Sequence, residues 1–337
     1  MRLVRQGAAG PRSAGNIPDV PSLPPVMGRI GTTDLEIDLP LNLGGNVFGW
    51  TADERDSTAV LDAFVDAGGS FVDTADVYSE WADGHAGGES EEVLGRWMAS
   101  RGRDRLLVAT KVGSWSGAPG LSRESIRRGA EASLRRLGTD VIDLYYAHRD
   151  DPSTPLEETL GAFDELVREG KVRYVAASNY SPARLREALA VSDREGFARF
   201  VALQPHYNLV HREEYEGELT GLVADEGLSC VPYAALAGGF LAGKYRDGAD
   251  AVDSPRAAKA SQLLDERGRR VLAALDAVAA ETGRSVGAVS IAWLAAQPTV
   301  VAPIASARTA EQLPDLLAGA RLQLSHDQLR RLTDASA

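Results

Sequence analysis

Cysteine, surplus basic charge and long apolar runs are all scarce in this sequence. The single cysteine, Cys230, sits in the apolar run GLSCVPY. One thiol excludes an intrachain disulfide framework and a thiolate metal site, and it fits a core position in a reducing, cytoplasmic compartment. No apolar run approaches the ~20 residues of a transmembrane helix. The opening MRLVRQGAAGPRSAGNIPDVPSLPPVM lacks the apolar segment of a secretory signal. Its density of Pro, Gly and Ser predicts a flexible arm over residues 1–27. Lys and Arg number 36 against 48 Asp and Glu, a net charge of −12. That balance disfavours nucleic acid and anionic membrane as partners, while a few local cations can still hold a small anionic cofactor. No GxGxxG turn follows the first apolar run, which counts against a doubly wound open sheet.

What is present is a rhythm. The chain has 337 residues, 44% of them hydrophobic, enough for one (β/α)8 barrel of the usual ~250 residues or for two smaller domains. Short runs rich in Val, Leu, Ile and Tyr recur: LPLNL, SFVDTA, RLLVATKV, VIDLYYAH, VRYVAAS, FVALQ, LSCVPY and TVVAPI. They lack in/out alternation, as strands buried on both faces of a parallel sheet do. The segments between them have helical period and helical ends. Ser122 caps and Gly138 stops a helix whose Ile126, Leu134 and Leu137 share a face. Thr154 caps a second, with Pro155 in its first turn and Gly170 at its close. Ser181-Pro182 opens a third that ends at Gly196. Strands alternating with helices predict an α/β fold, a single-domain (β/α)8 TIM barrel over residues 28–337 with extended loops at its C-terminal rim.

In such a barrel the chemistry lies at the C-terminal ends of the strands. Successive runs end at Asp73 with Tyr78 beyond it, Lys111, His148, Ser178-Asn179, Gln204 and Tyr233, and Ser306 and Arg308 follow the last. Packing preference alone does not end buried strands in Asp, Lys and His. A lysine among the polar groups and a single histidine make a metal site improbable, so none is expected. Lys111 suits two roles: a Schiff base, as in an aldolase, or a cation that acts on the Tyr78 phenol. In the second role Asp73 holds the ammonium, Tyr78 gives its proton to a developing alkoxide, and His148 orients the carbonyl.

The stretches FVDTADVYSE, LLVATKVG, DVIDLYYAHRDDPSTPLEETL, GKVRYVAASNYSP, LQPHYN and VAPIASARTAEQL, in this order, resemble the aldo-keto reductase superfamily, in particular its potassium channel β subunit and aryl-alcohol dehydrogenase-like branch. The resemblance runs from about Gly28 to the C-terminus. It implies NAD(P)H-dependent reduction of an aldehyde or ketone by direct hydride transfer, with Asp73, Tyr78, Lys111 and His148 as the catalytic tetrad. It further implies that Ser178, Asn179 and Gln204 hold the nicotinamide carboxamide and that Tyr233 stacks on the ring. Gly45 and Asn46 would touch the cofactor from the first-strand loop. Arg308, beside Ser306, would meet a 2′-phosphate, favouring NADPH over NADH, with Gln312 and Asp315 near the adenosine. The segment Ala234-Ala235-Leu236 departs from the family's Ser-Pro-Leu, Ser306-Ala307-Arg308 from its glycine-led pattern, and Leu316 from a frequent Asn.

The segment GGFLAGKY, Gly238 to Tyr245, carries most of a GxxxxGK[ST] phosphate loop, but Tyr245 replaces the hydroxyl that reaches magnesium. It follows the seventh run rather than the first. As the resemblance implies, it would fold across a dinucleotide pyrophosphate, with Ala234, Leu236 and Gly238 nearby, Lys244 supplying charge and Arg256 closing the flap. Trp50, Trp81 and Trp115 lie on rim loops and are candidates for an apolar wall around a small carbonyl substrate. His85 reads as a solvated loop residue, and His206, His211 and His326 as structural or surface residues. Two other functions compete: a cofactor-binding regulatory module of the channel β type, and the Schiff-base aldolase on Lys111.

Overall fold

A computed structural model of the chain describes residues 28–246 and 257–337. The expected arm over 1–27 and Arg256 lie outside the described residues. The described residues start with an antiparallel hairpin, β1 (Gly28–Arg29) and β2 (Glu36–Ile37). Eight parallel strands follow: β3 (Asn42–Gly44), β4 (Phe71–Asp73), β5 (Leu107–Val112), β6 (Ile142–Ala147), β7 (Val172–Ser178), β8 (Phe200–Gln204), β9 (Ser229–Cys230) and β10 (Ile304–Ala305). Each of the eight apolar runs read from the sequence overlaps one of them. They pair in the order β10-β3-β4-β5-β6-β7-β8-β9. Hydrogen bonds then close the ring: Cys230 N–H to Thr299 O at 2.8 Å, Val301 N–H to Cys230 O at 3.0 Å, and Ile304 N–H to Pro232 O at 2.8 Å. The fold is the (β/α)8 barrel, and the open sheet is excluded.

Around the barrel run α1 (Glu54–Asp66), α2 (Glu89–Arg101), α3 (Arg123–Leu137), α4 (Leu156–Arg168), α5 (Pro182–Glu195), α6 (Glu218–Asp225), α7 (Ala257–Ser261), α8 (Glu266–Thr282), α9 (Val286–Ala295), α10 (Leu313–Arg321) and α11 (His326–Ala335). Local chemistry sets their ends. The Ser122 and Ser181 side chains accept from the backbone N–H of Ser125 and Arg184, and Gly138 and Gly196 take left-handed conformations at the far ends. Thr154 does not cap as expected. Its hydroxyl donates to Asp151 Oδ2 at 2.8 Å, and Pro155 becomes the N-cap of α4. Asp151 also accepts from Ser153 and from Leu121 N–H, so it gathers the loop more effectively than a lone cap bond. Helix α9 is buried almost throughout, and its sequence VGAVSIAWLA is accordingly apolar all round. It packs against α8 and α10, and its Trp293 Nε1–H donates to Thr333 Oγ1 of α11 at 3.0 Å.

The core is divided by the sheet. Outward residues, among them Val72, Val108, Tyr145, Val175, Leu203 and Cys230, pack under the helices. Cys230 is buried, and burial pushes its thiol pKa up. Inward residues form a second cluster of Phe71, Ala109, Leu144, Tyr146, Ala176, Ala202, Val231, Ala302 and Ile304. The hairpin plugs the bottom of this interior with Ile30, Leu35 and Ile37, all buried. Its turn residue Gly31 has φ +53, and a Cβ there would lie 2.6 Å from Val201 O, so no other residue fits without a shift. Outside, Asp34 accepts from Arg173 at 3.0 Å and from the Tyr174 phenol at 2.9 Å, pinning the plug to β7.

Candidate active site

Strand periodicity of two carries the inner face upward from this cluster. Two residues beyond Phe71 comes Asp73; beyond Ala109, Lys111; beyond Tyr146, His148; beyond Ala176, Ser178; beyond Ala202, Gln204; beyond Val231, Tyr233; beyond Ile304, Ser306. The side chains read as strand-end chemistry are therefore the top layer of the barrel interior. Lys111, fully buried, makes three bonds: Nζ to Asp73 Oδ2 at 2.6 Å, to Thr74 O at 2.8 Å and to Tyr78 Oη at 2.8 Å. An ammonium has three donors, and all three are used. Nζ lies 4.7 Å from the Tyr78 ring centre, so it approaches the phenol oxygen rather than the ring face. Burial pushes the Lys111 pKa down, opposed by the carboxylates of Asp73, Asp76 and Glu91. Asp73 completes its contacts with Tyr78 Oη at 3.1 Å and Gln204 Nε2 at 2.9 Å.

His148 stands across from the phenol, ring centres 6.2 Å apart. Burial, with help from the Lys111 and Arg149 charges, holds it well below the ordinary histidine pKa, so the ring is neutral. Its Nδ1 is buried without a hydrogen-bond partner. Below, the buried Tyr146 phenol is raised well above its usual pKa, first by burial and then by the Asp73 charge.

The remaining expected residues form an arc on the rim. Asn179, with φ +56, donates to His148 O at 2.9 Å and to Ser178 Oγ at 3.0 Å, and accepts from the Tyr233 phenol at 2.9 Å. Ser178 Oγ donates to Gln204 O at 2.9 Å. Gly45 N–H bonds Asp73 O at 2.7 Å, and a Cβ at Gly45 would lie 2.8 Å from Ser90 Oγ. Ser306 Oγ donates to Asn46 Oδ1 at 2.7 Å. Gln312 Oε1 accepts from Arg308 N–H at 3.0 Å, and Asp315 is exposed on the first turn of α10. In and just before the GGFLAGKY segment, Ala234, Gly238 and Gly239 have positive φ, and Leu236 O accepts from Gly239 and Leu241 N–H. Tyr245 is buried in the helix-side core, which removes it from any phosphate-loop role. Among the described residues the Lys244 ammonium and the Arg308 guanidinium have no carboxylate partner.

The tryptophans divide. Trp50 and Trp81 meet edge to face at 5.4 Å, and Trp81 meets Tyr78 at 6.0 Å. Trp81 is 50% exposed, the one large apolar side chain so exposed among the described residues, and it stands beside the phenol. Trp115 instead donates Nε1–H to Ala86 O at 2.8 Å and lies 5.0 Å from the Arg136 guanidinium, tying the 79–88 loop to α3. His85, expected to be solvated, is half-buried with Nδ1 shielded, and His326 is exposed at the start of α11.

Sequence reasoning missed two groups. One is buried beside Lys111: Glu91 accepts from Thr110 Oγ1 at 2.5 Å and from Arg136 Nε at 2.7 Å, and Asp76 nearby is raised well above the usual carboxylate range by burial and by Glu91. Asp76 and Glu91 lie within stretches read for Tyr78 and Ser90, and nothing local marks them as buried. The other is a ring stack of Tyr233, His206 and His211, in which the pair HYNLVH was visible but its folding back was not.

A closed (β/α)8 barrel with a lysine, carboxylate and phenol joined at its C-terminal rim belongs to the barrel enzymes that act at that face. The chain is a member of the aldo/keto reductase family, whose sequence model matches residues 40–337. That makes it an oxidoreductase of this family's kind, whose members generally use NAD(P)H. It is 36% identical to an uncharacterized oxidoreductase, YrpG, of Bacillus subtilis, over 90% of this chain and 94% of that protein. It is 35% identical to a probable voltage-gated potassium channel subunit beta of Oryza sativa, over 79% of this chain and 82% of that one. Similarity to the protein tas of Escherichia coli is 29%, over 90% and 95% of the two chains. Among the described residues no helix is long and apolar enough to cross a membrane.

Proposed function

We propose that the protein reduces an aldehyde or ketone to an alcohol with NADPH, using Asp73, Tyr78, Lys111 and His148. The observation that carries this is the three-way bonding of buried Lys111 to Asp73, Thr74 O and the Tyr78 phenol. A nicotinamide dinucleotide, when bound, supplies the hydride. The residues present suit one. The donor set of Ser178, Asn179 and Gln204 is neutral and matches a carboxamide. Tyr233 offers a ring, and the close approach at Gly45 leaves the backbone bare there. Lys244 and Arg308 bring charge without carboxylate partners among the described residues, as phosphates require.

Tyr78 gives its proton to the carbonyl oxygen as that oxygen gains charge, and takes it back in the oxidation direction. An ammonium bonded to a phenol oxygen favours the phenolate left behind, and Asp73 balances the ammonium. Neutral His148 donates a hydrogen bond to the same oxygen, which positions the carbonyl. Trp50 and Trp81 wall the apolar side of the substrate, while Trp115 supports the loop that carries Trp81. Arg308 meets the 2′-phosphate, with Gln312 and Asp315 near the adenosine, and Ala234, Leu236, Gly238 and Lys244 border the pyrophosphate. The Schiff-base reading fits less well, because an amine that attacks a carbonyl needs a free lone pair and Lys111 makes three donor bonds. Similarity to probable channel β subunits keeps the regulatory reading in view, and turnover separates the two.

An NADPH-consumption screen over aldehydes, diketones, sugars and steroids finds turnover in the wild type. Tyr78→Phe loses ~10²–10⁴-fold in kcat, the usual share of a general acid, while NADPH binding is kept. Full turnover in Tyr78→Phe removes the acid assignment. Absence of turnover across the screen with tight NADPH binding supports the regulatory module instead.

A further inference from the structure

The ring of Tyr233 is not alone at the rim. His206 lies parallel to it, centres 5.0 Å apart with 14° between planes, and His211 lies on His206 at 3.7 Å and 18°. The backbone builds this column. Beyond the ends of β8 and β9 the ladder continues through a parallel bridge between His206 and Tyr233, with Tyr233 N–H bonded to Pro205 O at 3.0 Å. Cross-strand neighbours share a face, so the two rings meet. Asn208 and His211 then exchange both backbone bonds at 3.1 and 3.0 Å, and this turn folds the second imidazole onto the first. Asn208 Nδ2 bonds Ala234 O at 3.0 Å, tying the turn to the segment after Tyr233. Outermost, Glu214 Oε1 lies 3.3 Å from His211 Nε2.

We infer that His206 is a positioning residue for cofactor binding: its imidazole is a back plate that fixes the plane of the Tyr233 ring against which the nicotinamide packs. This rests on the reading of Tyr233 as the nicotinamide-facing ring. The bond from the Tyr233 phenol to Asn179 Oδ1, 2.9 Å, fixes the tip of the side chain but leaves the ring free to rock about its long axis. A flat group on one face stops that motion. The ring then need not be ordered when the cofactor arrives, and pre-ordering of this kind raises affinity without any new contact. Burial holds His206 at a pKa of about 4, so near neutral pH the plate carries no charge that repels an oxidised, cationic nicotinamide.

The test compares NADPH dissociation constants, measured by fluorescence titration of the full chain, in His206→Asn, His206→Phe and Tyr233→Leu. His206→Asn keeps a polar group for Asn208, whose Nδ2 lies 3.5 Å from His206 Nε2, but loses the ring, and it weakens NADPH roughly three- to tenfold, the scale of ordering one side chain. His206→Phe keeps a flat ring and binds as the wild type does. The Michaelis constant for the carbonyl substrate at saturating NADPH stays the same in both. Wild-type affinity in His206→Asn, or equal weakening in His206→Asn and His206→Phe, overturns the inference. If only His206 fails, Tyr233→Leu still binds weakly. If Tyr233→Leu binds like the wild type, the reading of Tyr233 falls and takes this inference with it. His206→Gln replaces His206→Asn should the shorter amide prevent folding.

Discussion

Lys244 and Arg308 carry positive charge at the rim of a chain whose net charge is −12. Most arginines of the described surface are paired with carboxylates, and such exposed pairs contribute little. A guanidinium held apart from carboxylates is available to a phosphate. Arg308→Ala therefore raises the NADPH Michaelis constant roughly tenfold or more, the scale of a charge-assisted hydrogen bond, and hardly changes that for NADH. Steady-state kinetics with both cofactors checks it, and equal effects remove Arg308 from the 2′-phosphate. Protonation gives a second residue-scale prediction. His206 titrates near 4 in the folded chain against about 6.5 unfolded, so between those values the unfolded state binds more protons. Its share of stability is full above pH 6.5 and is lost as pH falls toward 4. After discounting for partial exposure this share is about 1–2 kcal/mol. Asp76, whose pKa burial raises, acts with the opposite sign, so the share is read as a difference. Urea midpoints at neutral and mildly acidic pH fall less for His206→Phe than for the wild type. Parallel falls would show that the imidazole is not neutral in the fold. That Asp73, Lys111 and His148 stand at the rim was legible residue by residue, because a polar group ending an apolar run is a local signal. His206 and His211 were not, since stacking depends on a turn that reverses the chain between them.

At the scale of elements, helix boundaries followed from caps and glycines, and α4 departed where Asp151 organised the loop ahead of Thr154. Packing between helices was less visible. Gly95 of α2 sits on the C-terminal end of α3, where a Cβ would come within 2.2 Å of Arg136 O. Backbone cannot yield as a flexible side chain does, so Gly95→Ala pushes α2 away from α3. The expected cost is about 1–3 kcal/mol, the usual range for overpacking. A lowered urea midpoint with unchanged slope checks it. Because α2 carries Glu91 against Arg136 and Thr110, the same variant loosens the polar cluster behind Lys111. The sequence shows Gly95 only as a helix-interior glycine. Its reason lies on another element.

For the molecule as a whole, the division between arm and barrel can be tested by where the chain is cut. The expectation of an arm over 1–27 predicts that a chain starting at Gly28 melts and turns over like the full chain. Starting at Asp38 instead removes Ile30, Leu35 and Ile37 from the barrel floor. Burying one such side chain contributes about 1.5–3 kcal/mol, so losing three approaches the whole stability of a typical domain. Calorimetry should show a collapse of melting temperature for the second cut only. A lowered melting temperature for the first cut would mean that residues 1–27 belong to the folded unit.

The sequence by itself determined the alternation of strand and helix, the caps, and which polar residues end each buried run. All of these are set by periods of two and 3.6 residues and by neighbours a few positions away. Closure of the ring between β9 and β10, the plug, the neutral state of His148 and the stack behind Tyr233 were decided only by tertiary structure. Each depends on groups far apart in the chain meeting at one place. Burial and the field of neighbouring charges, unlike periodicity, are properties of that place and not of the residue.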